Sequence, residues 1–165
     1  MNAGANGMET ERNLLSVDFV NDEGELLLLE KKDLEFGYRM STFQKLKGAI
    51  VGATFKLSPS LTARQKQIEI VTYRKNTQPY SDKSIGCVFR NPEGSIAGKL
   101  IEEAGLKGTV YGGAKVSEKH ANFIVNDKGA SSQDILKLVD EVQRKVYEKH
   151  GVSLHPEIRI IPYDV

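Results

Sequence analysis

Tryptophan is absent from the 165 residues, cysteine occurs once and proline five times. A single thiol, Cys87, cannot close an intrachain disulfide, so nothing argues for an oxidising compartment. Neither sign of charge is in excess, because 23 Lys and Arg face 22 Asp and Glu for a formal net charge of +1. That balance removes the basic footprint on which binding to a phosphate backbone depends, and it excludes nucleic acid as a partner. Long apolar runs are missing too. The longest, Leu26–Leu29, falls far short of the roughly 20 residues needed to cross a bilayer. No CxxC or HExxH spacing offers a metal site, and neither a serine-hydrolase elbow nor a Walker loop occurs. The first residues show no basic-then-apolar leader, so the expectation is a cytoplasmic chain with no membrane partner.

What is present is an ordinary globular composition, 39% hydrophobic and 27% charged, with length enough for one full domain or two small ones. In the stretch 14–20, Leu15, Val17 and Phe19 alternate with Ser16 and Asp18, the period of a half-buried strand. Asn21–Gly24 reads as a hairpin turn returning through 25–29. The apolar, β-branched stretch 49–57 predicts a strand central to a sheet, stopped by Pro59. Residues 60–75 are spaced like a helix, with Leu61, Ile68 and Val71 on one side. Gln78–Asp82 reads as a linker, and a domain boundary is expected near it. A second helix is expected over 95–104, through Ile96, Ala97, Leu100, Ile101 and Ala104, ended by Gly105. A strand over 122–126 precedes the best-defined helix, 132–150. That helix has a stripe of Ile135, Leu138, Val139, Val142 and Val146, a cap at Ser131 or Ser132, and Gly151 at its end. A last strand is expected at 158–161. Strands and helices mix without regular alternation, so the fold class is α+β.

Several segments could carry chemistry. The glycine-rich start, with Asn2, Gly4 and Asn6, suits turns and could bring backbone N–H groups to a phosphate; the plainer alternative is a disordered start. Ser84–Pro92 gathers a thiol (Cys87), a guanidinium (Arg90) and an amide (Asn91). An ordinary thiol is mostly protonated at neutral pH and could give a proton to a carbanion-like centre, although a lone cysteine can also be inert packing. Arg39 sits in a polar-aromatic loop, Arg74 near the end of a helix, and Lys107 between two glycines. Each could equally be a plain surface cation. Ser117–Asn122 clusters polar groups ahead of a strand, as a ligand rim or a solvated turn. Glu157 would be an ordinary surface carboxylate unless the fold returns it to the other groups.

Seven segments, in order, resemble the UDP-N-acetylenolpyruvoylglucosamine reductase (MurB) family: MNAGANGMET, FGYRMSTF, RKNTQP, SIGCVFRNP, AGKLIEEAGLKG, GGAKVSEKHANFIVN and PEIRII. They match its shorter type. The resemblance implies an FAD enzyme, reduced by NADPH, that converts UDP-N-acetylglucosamine enolpyruvate to UDP-N-acetylmuramate. It implies that Arg39 and Glu157 are catalytic and hold the substrate carboxylate and its developing charge. Cys87 stands where the best-described members have the serine that protonates C2. Arg74, Arg90, Asn91 and Lys107 would contact substrate or its diphosphate, and Asn2, Gly4 and Asn6 would approach FAD. Residues 1–78 would be the carboxyl-terminal part of the FAD-binding domain and 79–155 a substrate-binding domain. The tail 156–165 would return to the flavin side. The family's amino-terminal half has no counterpart in the sequence. A fragment, a gene start set too far downstream and a split enzyme all fit that length. The chain alone is expected to bind FAD poorly or not at all, and to associate with a separate amino-terminal FAD-binding portion or with itself.

Overall fold

The computed structural model describes residues 1–161, and the chain divides into two compact units, Met1–Ile70 and a second beginning at Val71. In the first unit, β1 (Gly4–Ala5) and β2 (Met8–Glu9) form a hairpin. Its turn residues Asn6 and Gly7 have φ of 54° and 74°, the left-handed values that Asn-Gly hairpin turns require. The amino-terminal stretch is therefore built structure, not a disordered start.

A three-stranded antiparallel sheet follows, β3 (Leu14–Asn21), β4 (Leu26–Glu30) and β7 (Gly48–Phe55), with β3 in the middle. Between β4 and β7 lies the small hairpin β5 (Phe36–Gly37) and β6 (Met40–Ser41). Two expectations change here. β7, expected to be central, lies at a sheet edge and is exposed along nearly its whole length. Leu15, expected to face inward with Val17 and Phe19, is exposed while Leu14 is buried. The register between β3 and β7 shifts between Leu14 and Ser16, and one extra residue in a strand exchanges its inner and outer faces. Helix α1 (Ala63–Thr77) forms as expected but buries none of its residues, and Leu61 lies outside it, fully exposed.

The second unit is a four-stranded antiparallel sheet in the order β8 (Ser84–Cys87), β11 (Phe123–Asn126), β10 (Ala114–Val116), β9 (Val110–Tyr111). Helices α2 (Ala97–Glu103) and α3 (Ser132–His150) pack together, and α3 lies against β9 and β10. Leu138, Val139, Val142 and Val146 of α3 meet Ile101, Val88, Val116 and Leu154 in one buried cluster. Ile96, expected on the apolar stripe of α2, is exposed, because it is the residue preceding the helix. Ser131 caps α3, its Oγ accepting from the Asp134 N–H at 3.1 Å while its own N–H donates to Asp134 Oδ2 at 2.9 Å. Gly151 ends the helix at φ 67°. The strand expected at 158–161 does not form. The returning chain instead makes one isolated antiparallel bridge, Phe89 with Pro156.

Candidate functional site

That bridge organises much of what the sequence singled out in the second unit. The Glu157 N–H donates to the Val88 carbonyl at 2.7 Å and the Arg90 N–H to the His155 carbonyl at 2.9 Å. Glu157 is thereby held by its backbone beside Val88, one residue from Cys87. Cys87 closes β8 opposite Phe123 of β11, directly after Gly86, whose φ of 87° only glycine adopts without strain. Asn91 Oδ1 accepts the Ala97 N–H at 3.0 Å, satisfying one of the orphan donors that open α2. The candidate residues Cys87, Arg90 and Glu157 thus lie along one stretch of paired backbone, with Asn91 next in the chain.

Arg74 and Lys107 stand apart from that bridge. The Arg74 guanidinium lies 5.7 Å from the centre of the Tyr80 ring, beside a small cavity of about 270 Å³ that Ser84 and Phe123 also line. Lys107 pairs with Glu102 at 2.7 Å. A second cavity of about 500 Å³ opens beside α2, lined by Lys99, Glu102, Lys119, His120 and Thr77 among others. The His120 ring meets Phe123 edge-on at 4.8 Å, and Phe123 lines the smaller cavity and pairs with Cys87. Tyr80, Lys99, Lys119, His120 and Phe123 were not singled out individually as site residues. The polar cluster ahead of β11 was the available signal for two of them.

His120 Nδ1 accepts the Asn122 N–H at 3.2 Å, which leaves the proton of the neutral ring on Nε2. Burial holds this imidazole below its ordinary value; Lys107 pushes the same way and Glu102 opposes. Folding therefore favours the neutral ring. Above the unfolded value, near ~6.5, both states are neutral and the stabilisation is complete. As pH falls through that value only the unfolded chain takes up the proton, and stability declines until the lower folded value is passed. The thermal midpoint is expected to drop between about pH 7.5 and 5.5, and His120→Gln to flatten that drop. Equal slopes in the two proteins would show that His120 is not responsible.

In the first unit the structure brings Arg39 to the amino-terminal hairpin. A Cβ placed on Gly4 would lie 3.5 Å from an Arg39 guanidinium nitrogen and 3.2 Å from Glu9 Cγ. Arg39 itself has φ of 55°; it and Asn6 are the non-glycine residues at positive φ among those described. Such strain costs about 1–3 kcal/mol and tends to persist where function demands it. Asn2 is buried and fully engaged, donating to Glu9 Oε2 at 2.8 Å and accepting the Glu11 N–H at 3.0 Å. Its side chain secures the hairpin. Among the described residues no group of His, Cys, Asp and Glu could hold a metal ion, and no helix is long and apolar enough to cross a membrane.

Fold and site together define an α+β protein whose second unit sets cations around an aromatic edge. Residues 78–161 match the family model for the C-terminal domain of UDP-N-acetylenolpyruvoylglucosamine reductase. The chain belongs to that family. It is 58% identical, over 100% of its own length, to the UDP-N-acetylenolpyruvoylglucosamine reductase of Protochlamydia amoebophila, of which the match spans 55%. It is 45% identical to that of Chlamydia felis over 99% of its length, again 55% of the relative. The crystal structure of the reductase from Thermus caldophilus superimposes with a TM-score of 0.80 at 37% identity, covering 98% of this chain and 58% of that one. The chain thus spans little more than half the length of these relatives.

Proposed function

We propose that the chain serves the reduction of UDP-N-acetylglucosamine enolpyruvate to UDP-N-acetylmuramate in peptidoglycan synthesis, with FAD as bound cofactor and NADPH as reductant. The observation that supports this most is the backbone pairing that holds Glu157 beside Val88, next to the Cys87 thiol. In this reading the flavin would lie against the hairpin of the first unit, where Gly4 carries no Cβ beside the Arg39 guanidinium. Gly4 and Asn6 would approach the flavin, and Asn2 would fix their hairpin. A flavin held there and reduced by NADPH would supply hydride chemistry.

The remaining roles fall to side chains of this chain. Arg39 would bind the enolpyruvyl carboxylate as a fixed cation, and Glu157, as an acid, would donate a hydrogen bond to the oxygen on which enolic charge develops. Cys87 gives its thiol proton to C2, and the resulting thiolate is reprotonated from solvent. Arg74, Arg90, Asn91 and Lys107 hold the UDP-sugar, guanidinium and ammonium groups being suited to its diphosphate. A second reading is a UDP-sugar-binding chain without redox turnover. It is favoured by Arg74 lining one cavity of the second unit and by Lys99 and Lys119 lining another, with Lys107 paired to Glu102 at the rim of the latter.

The test is a titration of the purified chain with FAD, followed by flavin fluorescence, and then addition of NADPH and the enolpyruvyl substrate. In parallel, UDP-N-acetylmuramate is expected to raise the melting temperature, since a ligand specific to the folded state must stabilise it. Saturable FAD binding with NADPH oxidation supports the reductase reading. A thermal shift without oxidation, with the chain alone and also with a separate amino-terminal FAD-binding portion supplied, supports the second, and the absence of any response to flavin or UDP-sugar under both conditions overturns both.

A further inference from the structure

We propose that Asn122 is the positioning residue of this site, an inference that rests on the reductase reading above. Asn122 is 4% exposed and precedes β11. Its side-chain amide pairs with the backbone of Phe89 in both directions, Oδ1 accepting the Phe89 N–H at 2.9 Å and Nδ2 donating to the Phe89 carbonyl at 2.8 Å. Its own carbonyl takes the Val88 N–H at 2.8 Å. Three hydrogen bonds from one residue therefore hold Val88 and Phe89, where the regular pairing of β8 with β11 has already stopped at Cys87.

The pinned segment is the one everything else hangs from. Val88 carries Glu157 through its carbonyl, and Arg90 carries His155. The same residue reaches the other way, because the Asn122 N–H donates to His120 Nδ1 and so orients the ring that lines the larger cavity. Asn122 thus joins the cavity beside α2 to the Cys87–Glu157 stretch. A shorter or apolar side chain would leave the Phe89 N–H and carbonyl buried without partners, which a protein interior does not tolerate cheaply. The segment would have to move to satisfy them.

The single cysteine makes the experiment clean, because iodoacetamide labelling reports Cys87 alone. In Asn122→Ala, amide hydrogen exchange at Phe89, Arg90 and Glu157 is expected to quicken together by about tenfold or more. Cys87 labelling should quicken with it, while Val139 and Val142 in α3 keep their rates. Asn122→Gln keeps both the acceptor and the donor on a chain one methylene longer; it should show a smaller version of the same pattern, and it stands in should Asn122→Ala fail to fold. Exchange that quickens at Phe89 alone, or equally across α3, overturns the proposal. These readouts need neither flavin nor substrate. If they follow expectation while the protein supplied with FAD and the enolpyruvyl substrate oxidises no NADPH, the clamp is real and the reductase reading is what fails.

Discussion

Cys87→Ala is expected to lower turnover of the enolpyruvyl substrate by about 10²–10⁴-fold, the usual worth of a positioned proton donor, with little change in KM. The thiol is assigned no part in holding the diphosphate, so its removal should cost the chemical step and not ground-state binding. Folding should survive the change: Cys87 is partly exposed at the end of β8, and its neighbours Val88 and Phe89 are held by Asn122 and Glu157 through backbone groups. Cys87→Ser should restore most of the activity, because a hydroxyl occupies nearly the same position and the resemblance places serine there. The serine variant should also lose inactivation by mild oxidants, since a thiol climbs an oxidation ladder that a hydroxyl does not enter. Steady-state NADPH oxidation with wild type and both variants checks this. Turnover of Cys87→Ala within threefold of wild type would remove the thiol from the mechanism.

Legibility in the sequence followed how local each signal was. Helix α3 could be read in nearly full detail, because its apolar stripe, capping serine and terminal glycine lie within one contiguous stretch. The inward face of β3 could not, because the register shift that exchanges Leu14 for Leu15 is set by pairing with β7, more than thirty residues away. β7 looked central because it is apolar and β-branched, yet sheet position depends on which strands remain to pair with it. Residues 158–161 carry the composition of a strand but find no partner strand. Only Pro156 finds one, at Phe89.

The site divides along the same line. Cys87, Arg90 and Asn91 are neighbours in sequence, so their clustering was visible there. That Glu157 would return to them was carried by the resemblance alone, and a backbone bridge is what brings it back. Asn122 looked like one polar residue in a turn. Its importance is invisible without knowing that Phe89, distant in sequence, presents an unpaired backbone to it. The amino-terminal hairpin was ambiguous for a related reason: Asn-Gly marks a turn, but the bonds from Asn2 to Glu9 and Glu11 make it ordered.

The largest effect on stability is expected from Leu138→Ala. Leu138 is fully buried on α3, in the cluster that also holds Ile101, Val116 and Leu154. Truncation removes apolar area and leaves a cavity that neighbours on a helix and a sheet cannot both move to fill. Such changes cost about 2–5 kcal/mol, and a site packed from two sides belongs in the upper half of that range. Against a typical domain stability of about 5–15 kcal/mol this is a large fraction. The consequence reaches the site through Val88, which is buried in the same cluster as Leu138 and whose carbonyl holds Glu157. Urea denaturation should therefore show a lower midpoint at unchanged slope, with faster Cys87 labelling even before the transition. Tyr147→Ala, on the exposed side of the same helix, serves as the control and should shift stability by no more than about 0.5 kcal/mol. A Leu138→Ala loss no larger than the Tyr147 control would mean that α3 does not carry the core of this unit, and the route from packing to Glu157 would have to be drawn through α2 instead.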